Sequence, residues 1–176
     1  AGKSKLNRVT GRYEIIKVMG PDEFHEKYQD TEEGGLKDNA YTNLMVAWML
    51  GKAGELLEKL DGKKKEEIYE RVRLTSGETE RWNDIASRLN LVISDEGIIA
   101  QYDGYFNLKE LDFDEYRKKY RNIYRMDRLL KAEGKSPDEY KVAKQADTLM
   151  TFYNLSGNEV DEILSRLDYK LPQDYL

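Results

Sequence analysis

The turn after Gly20-Pro21 gathers the side chains most suited to proton transfer. It crowds acidic groups and the only histidine of the chain into a few positions: Asp22, Glu23, His25 and Glu26. Because neighbouring carboxylates disfavour a second ionisation, we expect a raised pKa for at least one of them. A glutamic acid that stays partly protonated near neutral pH can donate a proton to a leaving sugar oxygen. Taken alone, these residues favour a solvated acidic turn with a capping role over a catalytic site.

A metal site in the same turn is a weaker hypothesis. Asp, Glu and His are all possible ligands, but the H-E-x-x-H spacing is absent and a single histidine gives little selectivity.

Two further motifs contain groups that can bind sugars. Lys144-Gln145 precedes an apolar stretch, and its charge and amide could bind adjacent hydroxyls, although most such pairs are ordinary surface residues. The second motif is an aromatic turn over residues 101–106. Its Tyr and Phe rings could stack on a sugar, or they could anchor the turn onto the core.

Composition limits the possible classes of protein. The 176 residues suffice for one domain with its own core, and 39% of them are hydrophobic. The net charge of -5 argues against a nucleic-acid partner, because such proteins usually carry a basic excess. The chain has no cysteine, no apolar run long enough to span a membrane and no signal-peptide pattern. These features predict a soluble, cytoplasmic protein that does not bind a membrane.

Apolar periodicity and capping signals predict a mainly helical chain. A T-x-x-E capping box at Thr75 and a second box at Ser156 each mark a helix start. Gly51 and Gly54, inside the first helix, indicate close packing there. The predicted strands lie at 12–19 and 98–102, and the predicted helices run from Asp38 to Leu60, from Thr75 to Leu89, around 123–130, from Ser136, over 146–153 and from Ser156 to Leu167.

Four sequence blocks resemble glycoside hydrolase family 65, the maltose, trehalose and kojibiose phosphorylases. The blocks lie in the order and spacing of the family and extend over nearly the whole chain, at 18–26, 38–43, 101–106 and 143–147. The resemblance implies a mainly α fold that forms part of an (α/α) barrel of six helical hairpins, with one or two short strands. Residues 1–176 would then be a single, partial catalytic domain of a longer enzyme.

The resemblance also implies a reaction and roles for individual residues. The family's inverting phosphorylases let inorganic phosphate attack an α-linked glucose disaccharide while a glutamic acid protonates the glycosidic oxygen. By resemblance, Glu23 is that acid, and Lys144 and Gln145 bind the sugar. His25, Glu26 and Asn39 would support the loop. Phosphate is a co-substrate, and neither a cofactor nor a metal is implied.

The chain also departs from the family pattern. Family members are several times longer, they carry a Trp-Asp pair that this sequence lacks, and they continue to a phosphate-holding loop that would lie beyond Leu176. We therefore expect little activity from this chain alone. We also expect uncovered apolar surface around Leu44, Trp48 and Met49, to be covered by self-association or by the missing barrel segments. A hydrolase that uses water, or a non-catalytic helical interaction module, is the alternative.

Overall fold

The protein is mainly α-helical with two short strands, as the sequence predicts. The computed structural model describes residues 3–171, so residues 1–2 and 172–176 lie outside the described part. The strands are β1 (Ser4–Leu6) and β2 (Tyr13–Ile15), and the α-helices are α1 (Ala40–Lys59), α2 (Gly62–Val72), α3 (Ser76–Arg88), α4 (Phe113–Lys119), α5 (Met126–Ala132), α6 (Thr151–Asn154) and α7 (Gly157–Arg166). Single 3-10 turns cover Tyr105–Asn107, Pro137–Glu139 and Asp147–Met150.

The strands form one antiparallel pair, and both strand predictions need correction. β2 is shorter than the predicted 12–19, because Lys17 adopts a left-handed backbone with φ 58° that an extended strand does not tolerate. The strand predicted over 98–102 is wrong. There, Ile99 makes only an isolated bridge to Ile93, so the segment gains no continuous pairing.

The start of α1 differs by one residue from the prediction. Asn39, not Asp38, caps the helix, and its side chain accepts a hydrogen bond from the Thr42 N–H at 2.9 Å. Asp38 has a left-handed backbone, and its carboxylate accepts from the Ile15 N–H at 2.9 Å instead. The predicted close packing at Gly51 is confirmed, because a Cβ there would overlap the guanidinium of Arg166.

Two hydrophobic clusters lie beneath these elements. The larger one joins β2, α1, α3 and α7, and it contains Leu44, which is only 1% exposed. The predicted uncovered surface is therefore wrong at Leu44, although Met49 is 53% exposed. The second cluster forms under the acidic turn and consists of Phe24, Leu111, Tyr116, Met126, Leu130 and Val142.

The capping boxes at Thr75 and Ser156 are confirmed, while two other helix predictions fail in part. Ser136 does form a capping box, but only one 3-10 turn follows it. The chain then pairs with Lys109, which exchanges backbone hydrogen bonds with Glu139 and Lys141 at 2.9 and 2.8 Å. The predicted helix over 146–153 is instead a 3-10 turn followed by the short α6.

Among residues 3–171, no helix has both the length and the apolar character needed to cross a bilayer.

Candidate active site

The structure brings together three residues that the sequence analysis selected from separate blocks. Glu23 Oε2 lies 2.5 Å from Lys144 Nζ, and Glu23 Oε1 accepts from Gln145 Nε2 at 2.8 Å. The Glu23 N–H also donates to Gln145 Oε1 at 3.1 Å. The Glu23 side chain is 61% exposed, so its carboxyl group is open to a ligand.

A buried carboxylate, that of Asp22, holds the two segments of this site against each other. Asp22 is 1% exposed, and its Oδ1 accepts from the Lys144 N–H at 2.9 Å. Its Oδ2 contacts His25 Nδ1 at 2.9 Å and accepts from Gln101 Nε2 at 3.1 Å. Because buried charges require hydrogen-bond partners, these contacts fix the loop on which Glu23 lies.

A second buried carboxylate, that of Asp147, ties the loop to the start of α1. Asp147 Oδ1 accepts from Asn39 Nδ2 at 3.0 Å, while its Oδ2 accepts from Gln101 Nε2 at 3.1 Å and from the Asp22 N–H at 3.2 Å. Since the other end of the Asn39 amide caps α1, the helix and the loop share one side chain.

His25 is fully buried, so its position differs from that of a substrate-binding residue. Its Nε2 lies 2.9 Å from the Tyr140 carbonyl oxygen, and its Nδ1 faces the carboxylate of Asp22. The rings of Tyr102 and Tyr105 lie 5.4 and 5.8 Å from His25, so these two tyrosines of the aromatic turn anchor it against the site loop.

Glu26, the other residue expected to support the loop, is exposed. Its backbone N–H donates to Asp138 Oδ1 at 3.0 Å, which fastens the end of the loop.

The three carboxyl groups of the site titrate differently. Hydrogen bonds from Lys144 and Gln145 hold the pKa of Glu23 below its usual value, so the raised pKa expected from crowding is wrong for this residue. Burial raises the pKa of Asp22, but hydrogen bonds from His25, the Lys144 N–H and Gln101 outweigh it and lower the pKa overall. Burial raises the pKa of Asp147.

Two open cavities adjoin the site, and Phe24 lines both. The smaller one, which we call the Glu23 cavity, has a volume of about 300 Å³ and is lined by Met19, Glu23, Phe24, Glu26, Arg125, Asp127, Lys131, Ser136, Pro137 and Asp138. The larger one, which we call the arginine cavity, has a volume of about 680 Å³ and is lined by Phe24, Phe113, Arg117, Arg121, Asn122, Ile123, Tyr124, Met126 and Ala143. Both volumes suit small ligands.

A comparison with family models identifies the family of the chain. The family model for the glycosyl hydrolase family 65 central catalytic domain matches residues 1–174. The chain belongs to this family. The resemblance seen in the four sequence blocks is thereby confirmed.

Curated relatives are similar along most of this chain. A trehalose 6-phosphate phosphorylase of Lactococcus lactis is 50% identical over 94% of the chain and 20% of the relative. An uncharacterised glycosyl hydrolase of Mycobacterium tuberculosis is 44% identical over 96% of the chain and 13% of the relative. A kojibiose phosphorylase of Thermoanaerobacter brockii is 31% identical over 90% of the chain and 19% of the relative. The chain thus spans about a fifth or less of the length of these family 65 proteins.

A solved structure assigned as a kojibiose phosphorylase from the human microbiome has the same fold. It superposes with a TM-score of 0.64 at 19% identity, over 97% of this chain and 22% of that one. The helices of the present family 65 chain therefore form part of an (α/α) barrel.

Sequence reasoning missed how the buried polar groups hold the site together. Asp22, Gln101 and Asp147 all lie inside the recognised blocks, yet no sequence pattern predicts that their side chains meet. The available signal was position, because Asp22 precedes Glu23, Asp147 follows Gln145 by two residues and Gln101 begins the aromatic turn. Arg125, whose charge acts on Glu23, lay outside every block.

Gly20 tests how tightly this network is packed. A Cβ at Gly20 would overlap the Asn39 amide and the Asp147 carboxylate, whereas at Gly34 the nearest atom, Glu26 O, would be 3.8 Å away. We predict that Gly20→Ala lowers the free energy of unfolding by about 1–3 kcal/mol, as overpacking does. The matched variant Gly34→Ala should change it by less than about 0.5 kcal/mol. Urea unfolding followed by circular dichroism measures both variants. Equal changes in the free energy of unfolding would show that the network accommodates the added methyl group.

Proposed function

We propose that this chain supplies the proton donor of an inverting glycoside phosphorylase that acts on an α-linked glucose disaccharide. Glu23 is the general acid, Lys144 and Gln145 bind sugar hydroxyls, and inorganic phosphate is the attacking co-substrate. The observation that carries the proposal is the exposed Glu23 carboxyl group, held next to Lys144 and Gln145 on a loop that buried carboxylates fix in place. The phosphorylase names of two of the relatives support phosphate over water as the nucleophile.

The reaction follows from the need of the leaving group for a proton. The bond between the anomeric carbon and the glycosidic oxygen breaks, and the Glu23 proton passes to that oxygen, because an alkoxide leaves poorly. A phosphate oxygen bonds to the anomeric carbon from the opposite face of the ring. An α-glucoside thus yields β-glucose 1-phosphate and the free acceptor sugar.

Glu23 has to gain its proton before it can act. In the structure its carboxylate accepts hydrogen bonds from Lys144 and Gln145, which favours the ionised form because both interactions lower its pKa. We propose that a bound sugar draws these two side chains to its own hydroxyls. The sugar also displaces water from the carboxyl group. Both changes raise the pKa of Glu23, so that the acid becomes protonated in the complex.

Two types of disaccharide fit this proposal. The relatives' names include a phosphorylated disaccharide, trehalose 6-phosphate, and a neutral one, kojibiose. Both types are compatible with Glu23 as the acid.

The proposal also requires further barrel helices that this chain does not contain. We propose that residues 1–176 are a partial catalytic domain of a cytoplasmic enzyme and have little or no phosphorolytic activity alone, because the nucleophile needs its own binding groups on the opposite face of the sugar. Leu149 and Phe152, which are 69% and 42% exposed, offer an apolar surface that further barrel helices would cover. Robust phosphorolysis by the isolated chain would contradict this part of the proposal.

Removing the acid tests the central assignment. In the full-length protein that carries this chain, we predict that Glu23→Gln lowers kcat for phosphorolysis by about 10²–10⁴-fold, the usual contribution of general acid catalysis. Glu32→Gln, an exposed substitution in the same loop, should leave kcat unchanged. Chromatographic quantification of glucose 1-phosphate measures both rates.

The products and the residual rate separate the alternatives. Free glucose instead of glucose 1-phosphate would identify a hydrolase that uses water. Full activity of Glu23→Gln would remove Glu23 from the chemistry and favour a non-catalytic interaction module.

The pH profile tests the pairing of Glu23 with Lys144. A general acid works only while protonated, so kcat/KM falls as pH rises through the pKa of the free enzyme's acid. Because Lys144 lowers that pKa, Lys144→Met should raise it and move the alkaline limb of kcat/KM to higher pH. Lys141→Met removes a nearby lysine that pairs with Glu110 and should leave the limb in place. An unmoved limb in Lys144→Met would contradict the coupling.

A further inference from the structure

Residues 117–131 form a strongly basic segment in an acidic chain. This segment contains seven basic residues and only one acidic residue, Asp127, although the whole chain has a net charge of -5. The basic residues are Arg117, Lys118, Lys119, Arg121, Arg125, Arg128 and Lys131. Such a local excess of charge attracts anions.

Most of the residues that line the arginine cavity belong to this segment. Arg117 and Arg121 line it, and no Asp or Glu lines it among the residues that the structure describes. Arg117 pairs with Asp114 at 2.8 Å, whereas Arg121 forms no ion pair within residues 3–171. The guanidinium of Arg121 is therefore available to an anion. Phe113 and Tyr124 add aromatic surface of the kind that packs against sugar rings.

The arginine cavity includes residues next to Glu23 and Lys144 in the sequence. It is lined by Phe24 and Ala143, the immediate sequence neighbours of Glu23 and Lys144. The Glu23 cavity, which shares Phe24, has four carboxyl-bearing residues against two basic ones, namely Glu23, Glu26, Asp127 and Asp138 against Arg125 and Lys131. An anionic group is consequently favoured in the arginine cavity over the Glu23 cavity.

The position relative to Glu23 indicates which anion fits. A general acid lies next to the oxygen of the leaving sugar, while the nucleophile of an inverting reaction approaches from the opposite face. An anion in a cavity adjoining Glu23 therefore belongs to the leaving sugar and not to the attacking phosphate.

We propose that the arginine cavity binds the phosphate ester of a phosphorylated leaving sugar, so that the substrate is an α-glucoside of a sugar phosphate. The proposal rests on the proposed function, because it uses Glu23 to define the leaving side. Arg121 is the principal phosphate ligand and Arg117 the second one. Guanidinium groups suit this task, since their donors match phosphate oxygens in a bidentate geometry.

The experiment compares a sugar phosphate with the neutral sugar in the full-length protein that carries this chain. Isothermal titration calorimetry gives Kd for glucose 6-phosphate, for glucose and for inorganic phosphate. Synthesis from β-glucose 1-phosphate gives KM for the two sugar acceptors. The variants are Arg121→Gln and Arg117→Gln, and Arg128→Gln is a matched control because Arg128 is exposed in the same segment but does not line the cavity.

We expect the wild-type protein to bind glucose 6-phosphate more tightly than glucose. Arg121→Gln should weaken glucose 6-phosphate binding by about tenfold to a hundredfold, the range for hydrogen bonds to charged groups, and Arg117→Gln should weaken it by a smaller factor. Neither variant should change the Kd of glucose or of inorganic phosphate, and Arg128→Gln should change none of the three.

Three results would overturn the assignment. These are equal wild-type affinity for glucose and glucose 6-phosphate, an equal loss for both sugars in Arg121→Gln, and a loss confined to inorganic phosphate, which would make the cavity the co-substrate site. The binding measurements need no turnover, so they separate the two proposals. If Glu23→Gln stays fully active while Arg121→Gln loses affinity only for glucose 6-phosphate, the sugar-phosphate site is supported and the proton-donor assignment is wrong.

Discussion

The site depends on the hydrogen bonds that the buried Asp22 carboxylate accepts from a distant part of the chain. The Lys144 N–H lies 2.9 Å from Asp22 Oδ1, although the two residues are 122 positions apart in the sequence. This contact positions the backbone at residue 144 so that the side chains of Lys144 and Gln145 reach Glu23, the residue after Asp22. The neighbouring Phe24 N–H also donates to Asp22, at 3.3 Å, and the Phe24 ring enters the second hydrophobic cluster. The polar and the apolar anchors therefore act on adjacent residues.

Two carboxylates buried in one network would be costly without partners, because each loses its hydration. Gln101 reduces that cost by donating to both Asp22 and Asp147, at 3.1 Å each. The two groups nevertheless titrate in opposite directions. Asp22 faces His25 and backbone donors that favour its ionised form, and its pKa is lowered. For Asp147, neutral amide donors do not fully offset burial, and its pKa is raised. Hence the network is built around one firmly ionised carboxylate and one that ionises less readily.

The sequence predicted the elements that have strong local signals. The helices after Thr75 and Ser156 carry both a capping box and an apolar face, and both formed as expected. Helix α2 was missed because its apolar face is short, with only Ile68, Tyr69 and Val72 in a run of charged residues, and none of its residues is buried. The helix expected from Ser136 has the right local start but ends where Lys109 takes over the backbone pairing, a contact that no local pattern encodes.

The same distinction applies to the site. The turn over residues 21–23 and the Lys144-Gln145 pair could be selected because each lies in a recognisable block of the family. The expected raised pKa of Glu23 was wrong because its titration depends on Lys144, a residue that is remote in the sequence and adjacent in space. Carboxyl groups that are close in the sequence need not raise each other's pKa, because the fold can turn neighbouring side chains in different directions. Asp22 and His25 point inward, whereas Glu23 and Glu26 are exposed.

The double role of Asn39 has a consequence for motion. Its oxygen caps α1 while its nitrogen donates to Asp147, which in turn accepts from the Asp22 N–H, so one amide group links the first turn of α1 to the turn that carries Glu23. Fraying of that helix end would release both together, and neither can open without breaking bonds made by the other. The turn that carries Glu23 therefore belongs to the same cooperative folding unit as the hydrophobic core. A turn held in this way differs from the mobile lids that close over many active sites.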